Sequence, residues 1–273
     1  MGRLAEFFAR RVKFEPEGHV VSGRLAEFRL MKLTRAVAGE ALVLEGIRIP
    51  DPEEGGRREI DMVIATKNEI LFVEQKHWSG SFTITSEGRF FQRRKNGGTL
   101  MHKDIVAWTC RKGDILCDLH ESRTDNSTPP SRVVLVFSNK NLEWDPLPEE
   151  VPAEAYDEMG FINMVEKMEK SAPEDSLKET LLGFGTWDTI HLTGGKTLHG
   201  DILADPFERV DCSIGHTGIF GLITGPKSNL STGQVVVDQS GPLVAVVGED
   251  GSRIIPFAHI SKIEFSNPRA EWG

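Results

Sequence analysis

The spacing of apolar and polar positions changes along this chain, and each change predicts a different element. Between Ser22 and Val37 the residues Leu25, Phe28, Leu33 and Val37 recur at helical intervals, and Ser22 suits an N-cap. ALVLEGIRI (41–49) reads as extended, and Pro50, Asp51 and Pro52 with Gly55 and Gly56 mark a loop. EIDMVIA (59–65) and EILFVEQKHW (69–78) read as strands joined at Thr66, Lys67 and Asn68. SFTIT (81–85) and RFFQRR (89–94) suit a hairpin turning at Glu87 and Gly88. A long helix is expected from Met101 to Leu119, a polar loop over 121–131, and a buried strand in RVVLVFS (132–138). An acidic, proline-containing segment (143–153) precedes helices near 156–170 and 174–183.

The character changes at Gly183, Phe184 and Gly185. From there the chain reads as short strands and glycine turns: DTIHL, TLHGDILA, GIFGLIT, QVVVD, LVAVV, RIIPF and KIEFS. GGKTLHGDIL and the final IPFAHISKIEF resemble a small SH3- or Sm-like β-barrel. Three parts are therefore expected: a catalytic domain over 1–140, an acidic helical connector over 141–184, and an all-β small barrel over 185–273. The barrel is expected to contact protein and to make the chain a homo-oligomer or bind a protein partner.

Composition refines this picture. A hydrophobic fraction of 39% supports real cores. No run approaches the ~18 apolar residues of a membrane helix, and the first residues lack the apolar core of a secretory signal, so no membrane partner is expected. Cys110, Cys117 and Cys212 include no CxxC pair, which argues against a disulfide framework or a thiolate zinc site and points to a cytoplasmic protein. The net charge of −9 is unevenly spread: residues 1–139 carry +3, residues 140–182 carry −8 and residues 183–273 carry −4. The only basic part is the part with candidate chemistry.

That chemistry lies in Asp61 and in the end of the following strand, Glu74-Gln75-Lys76. Side chains alternate across a strand, so Glu74 and Lys76 share a face while Gln75 and His77 point the other way. If Asp61 lies opposite, two carboxylates and an ammonium converge, a set suited to phosphodiester hydrolysis. Asp61, Glu74 and the Gln75 backbone carbonyl could ligate Mg2+ or Mn2+, with Glu27 on the preceding helix holding it through a water or completing a second site. Lys76 could orient or deprotonate water and stabilise developing charge. An exposed strand ion pair is the plain alternative; the apolar flank ILFV argues for burial, where charges need partners or a metal.

The stretches GRLAEFRLMKLTRAV, EIDMVIATKNEILFVEQKHWSGSF, GRFFQ and RVVLVFSN resemble the nuclease-related domain, NERD, of the PD-(D/E)xK nuclease superfamily. The resemblance covers about residues 22–140. It departs at Gln75, where an aliphatic or Thr residue is usual, and around 96–101, where the usual Asn-Pro is missing. It implies an α/β core, a restriction-endonuclease-like mixed sheet flanked by helices. It also implies magnesium-dependent cleavage of DNA, with Glu27, Asp61, Glu74 and Lys76 as the active site and Gln92 as a supporting residue. A prokaryotic source and a role in genome defence or DNA repair are further expectations from the resemblance.

Other features are weaker. Arg89, Arg93, Arg94 and Lys95, with Phe90 and Phe91 among them, could contact DNA, or could be an ordinary strand with Phe in the core. Trp78 reads as packing. The eight histidines show no ligand spacing, so no zinc site is expected. A non-catalytic nucleic-acid-binding module and an adaptor assembled through the barrel remain the competing functions.

Overall fold

The computed structural model describes residues 11–53, 57–85, 89–203, 212–213, 241–247 and 249–266. They fall into two units, Val21–Thr186 and Trp187–Asn267, the second including residues that precede Val21.

In the first unit a helix α1 (Gly18–Val37) leads into the strands β1 (Leu42–Pro50), β2 (Arg57–Ala65) and β3 (Ile70–Lys76). A side sheet follows, β4 (Gly80–Ile84), β5 (Phe90–Arg93) and β6 (Thr99–His102), and then the helix α2 (Ile105–Thr124). The chain continues through β7 (Ser131–Phe137), β8 (Leu142–Trp144) and β9 (Ala153–Asp157) to α3 (Glu158–Lys167) and α4 (Asp175–Leu182). The central sheet has the order β1-β2-β3-β7-β9, antiparallel from β1 to β3 and parallel from β3 to β9. The side sheet runs β6-β5-β4-β8.

Period-two alternation explains the layering. On β3 and β7 the residues Ile70, Phe72, Val133, Leu135 and Phe137 pack with Val106 and Leu116 of α2 and Leu177 and Leu181 of α4. Their neighbours Leu71, Val73, Val134 and Val136 pack on the other face, with Leu30 and Met31 of α1 and Phe161 and Val165 of α3. The central strands are thus apolar on both faces, as a helix-covered parallel pair requires. The mixed sheet flanked by helices is the expected α/β core. The acidic stretch 141–184 contributes β8, β9 and two helices to this unit, with Phe161, Val165 and Leu181 fully buried.

The helix α2 starts at Asp104, whose carboxylate accepts from the Ala107 N–H at 2.9 Å. It ends at Asp125, in the left-handed region at φ 55°. Val106, Thr109, Gly113, Leu116 and His120 form its buried stripe, at steps of three and four.

The second unit holds β10 (Asp188–Leu192), β11 (Thr197–Ile202), β12 (Cys212–Ser213), β13 (Leu243–Val246), β14 (Arg253–Ile254) and β15 (Ile260–Glu264). They form an open antiparallel sheet in the order β12-β15-β10-β11-β13-β14. This corrects the expected small barrel, and with it the homo-oligomer or protein partner that a barrel was to recruit. Closure needs a ladder between the edge strands, with matching tilt and stagger. Here the edges β12 and β14 have two residues each, and no ladder joins them among the described residues. Alternation explains the misreading: one apolar face, Ile190, Leu192, Leu198, Ile202, Val244 and Ile263, satisfies an open sheet as well as a barrel. The expected strands GIFGLIT (218–224) and QVVVD (234–238) lie outside the described residues.

Candidate active site

The site lies at a fork between two strands. β2 and β3 are paired from Ala65↔Ile70 to Met62↔Val73, where the ladder stops. Beyond it the Asp61 side chain takes over, its Oδ2 accepting from the Gln75 N–H at 2.8 Å. A carboxylate thereby replaces a backbone carbonyl as the partner of β3 and is fixed beside the strand end. Alternation along β3 puts Phe72, Glu74 and Lys76 on the α2 face. Lys76 Nζ donates to Glu74 Oε1 at 2.5 Å and stands 3.8 Å from Asp61 Oδ2. The three residues expected from the sequence to converge do meet.

Helix α2 adds two residues that sequence reasoning missed. Lys112 Nζ donates to Glu74 Oε2 at 2.7 Å and to the Glu59 carbonyl at 2.9 Å. The Thr109 hydroxyl lies 3.3 Å from the same Oε2 and 2.8 Å from the Ile105 carbonyl. This close approach depends on Gly113. A Cβ there would lie 2.5 Å from Cδ2 of Phe72, a ring with 1% exposure and no room to retreat. The available signal was the buried stripe of α2, since Lys112 sits three residues after Thr109 and immediately before Gly113.

The electrostatics follow from this packing. Burial and the Glu74 charge push Asp61 up to about 6, against the opposing pull of Lys76, Lys112 and the Gln75 N–H. Burial also acts to raise Glu74, but Lys76 and Lys112, with their hydrogen bonds, outweigh it and hold that carboxylate below its ordinary range. Burial acts to lower Lys76, and Asp61 and Glu74 overcome it, so the ammonium is held more tightly than usual. At neutral pH the site holds ionised carboxylates around a charged Lys76.

Glu27 sits on α1 and its side chain is exposed. Crowding by the surrounding protein and the Asp61 charge raise its pKa, and Lys76 and Arg24 draw it down. It therefore feels the site through space, while Asp61, Glu74 and Lys76 are in direct contact. Gln92, on β5, is buried; its Nε2 donates to the Ser79 carbonyl at 2.9 Å and its Oε1 lies 3.1 Å from His102 Nε2. His102 stacks on Trp78 at 3.9 Å, and burial, Arg94 and Lys76 lower its pKa. Gln92 thus ties down a neighbouring wall, and among the described residues it makes no hydrogen bond to the carboxylates. Arg89, Arg93, Arg94 and Lys95 are exposed, Phe90 is in the core, and Phe91 is half-buried.

The expected Mg2+ or Mn2+ is corrected by the donor set. Both Glu74 oxygens are taken by ammonium groups, and Asp61 Oδ2 is shared by Gln75 and Lys76. A divalent cation needs several hard oxygen ligands, and two fixed positive charges would oppose it. Among the described residues no group of three His, Cys, Asp or Glu side chains converges to hold a metal. The role assigned to the Gln75 carbonyl as a ligand falls with it.

No helix among the described residues is long and apolar enough to cross a membrane. No curated protein and no solved structure matches the chain. Residues 22–138, somewhat less than half of the chain, match the family described as the nuclease-related domain, NERD. That match spans α1, the β2–β3 fork with Asp61, Glu74 and Lys76, the helix α2 with Lys112, and β7, so it is this region of the chain that matches the nuclease-related domain.

Proposed function

We infer that this domain hydrolyses phosphodiester bonds in DNA at the β2–β3 fork. The observation that carries the reading is the position of Lys76, 2.5 Å from Glu74 and 3.8 Å from Asp61 at a splayed strand end in a nuclease-related domain. Glu74 does not react. It holds Lys76 on one oxygen and Lys112 on the other. Asp61 is ionised above about pH 6, and its Oδ1 carries no hydrogen bond among the described residues. That oxygen takes the proton of an attacking water. The water oxygen bonds to phosphorus as the bond to the leaving sugar oxygen breaks, and Lys76 and Lys112 balance the charge that gathers on the phosphoryl oxygens. The leaving oxygen takes its proton from solvent water, and Glu27, exposed on α1, adds its charge beside Asp61 and Lys76.

One observation favours a second reading, binding without cleavage: the Glu74 oxygens are already committed to ammonium groups. Full-length protein incubated with linear and circular, single- and double-stranded DNA separates the two. Nicked or shortened products from the wild type, absent with Asp61→Asn, support hydrolysis. DNA retained uncut by both proteins supports the binding reading, and neither binding nor cutting defeats both.

A further inference from the structure

Beside the fork, three cations surround one indole. The Arg58 guanidinium lies 5.7 Å from the Trp108 ring centre, the Arg111 guanidinium 5.6 Å and the Lys103 ammonium 5.6 Å. Trp108 is half-buried on the first turn of α2, and Lys103 is exposed just before that helix. The two guanidiniums are held from below by Asp51, a carboxylate with 3% exposure: Arg58 Nε is 3.0 Å from its Oδ2 and Arg111 Nη2 is 2.9 Å from its Oδ1. The exposed Glu53 also meets Arg111 Nη2, at 3.0 Å. Among the described residues these three cations meet the carboxylates of Asp51 and Glu53.

Its place in the chain matters as much as its charge. Trp108 precedes Thr109, and Arg111 precedes Lys112, both of which meet Glu74. Arg58 precedes Glu59, whose carbonyl receives Lys112. Each member of the cluster except Lys103 is thus one residue from a group that lines the fork.

We propose that Trp108, Arg58, Lys103 and Arg111 form the site where a single strand of nucleic acid is gripped next to the fork, a base stacking on Trp108 and its phosphates lying against the cations. The inference rests on the reading of this domain as one that acts on nucleic acid, and it names the strand form recognised. Every base offers a π-face, so such a platform binds without sequence preference. Guanidiniums pinned by a buried carboxylate are already oriented, so little side-chain freedom is lost on binding. Phosphate contacts make the affinity salt-dependent. The cluster also differs from the basic hairpin at 89–95, whose Phe90 is spent in the core.

The test measures anisotropy of a fluorescein-labelled oligothymidylate with full-length protein in an Asp61→Asn background, so that binding is read apart from cleavage. Trp108→Leu should weaken binding about tenfold, and Trp108→Phe should stay within about twofold. Lys103→Glu, a change at an exposed residue, should weaken binding at least tenfold and lower the salt slope by about one counterion, with an unchanged Tm as the check on folding. A self-complementary hairpin of equal length should bind more weakly than the open strand. The proposal is overturned if the background protein does not bind the oligothymidylate. It is equally overturned if Trp108→Leu and Lys103→Glu both bind as the background does, or if the duplex is preferred and Trp108 is indifferent. If these effects hold while wild-type protein cuts nothing, the grip stands and hydrolysis alone fails.

Discussion

Replacing Lys112 by methionine tests how the fork is held. Glu74 has 8% exposure and two ammonium partners, Lys76 at 2.5 Å and Lys112 at 2.7 Å. Lys112→Met fills a similar volume and removes one of them. Breaking a buried ion pair from one side costs ~3–5 kcal/mol. Here Lys76 remains and Thr109 still lies 3.3 Å from Oε2, so about 2–3 kcal/mol is the expected loss. In a unit of this size that corresponds to a Tm lower by roughly 5–10 °C. The pH dependence is more diagnostic than the size. The folded pKa of Glu74 lies below its ordinary 4.5, so its contribution is present above that value and is lost as pH falls through the depressed one. The gap between wild type and Lys112→Met should therefore be widest above about pH 5 and close as Glu74 is protonated. Calorimetry across pH, which resolves the transitions of two units, is the assay. Adding Glu74→Gln to Lys112→Met should recover part of the loss, because no unpaired charge is left buried. Equal Tm for wild type and Lys112→Met at neutral pH, or a gap that does not change with pH, would refute the reasoning.

Three further outcomes are expected. Gly113→Ala should cost about 1–3 kcal/mol and lower cleavage, since its Cβ would press on Phe72 and lift α2 off β3; an unchanged Tm and rate would show that the helix has slack. Cleavage should fall away on the acid side with an apparent pKa near 6, because Asp61 must be ionised to take a proton, and a rate flat from pH 5 to 8 removes that role. Millimolar magnesium should leave Tm unchanged relative to chelator, whereas a resident cation at about a hundred times its Kd would add ~2.7 kcal/mol.

Much of the first unit was legible because its signals are local. Alternation and apolar runs located β2, β3 and β7, and the shared face of Glu74 and Lys76 follows from strand geometry alone. The fork was not legible, since it arises where the Asp61 side chain displaces a ladder bond. Lys112 was missed because its role depends on how closely α2 approaches β3, a distance set by one glycine. The second half of strand β6, Met101 and His102, was absorbed into the expected long helix, whose actual start is set by Asp104 as N-cap. The phase of α1 also differs from the reading. Leu25 and Phe28 are exposed, whereas Ala26, Leu30, Met31 and Thr34 of the helix, and Ala38 just after it, are buried. The acidic charge of 141–184 suggested a solvated connector, yet Phe161 and Val165 are spaced to bury one face of α3.

The central claim is that Lys76, braced between Glu74 and Asp61, serves the cleavage of a phosphodiester bond. Its most direct test is the single-turnover cleavage rate of end-labelled DNA by wild type and by Lys76→Met, compared at a pH where calorimetry shows both folded. A loss of one ammonium that stabilises developing charge should slow cleavage on the order of a hundredfold or more, with DNA binding weakened far less. Equal rates for the two proteins, or no cleavage by the wild type on any DNA form, would contradict the account.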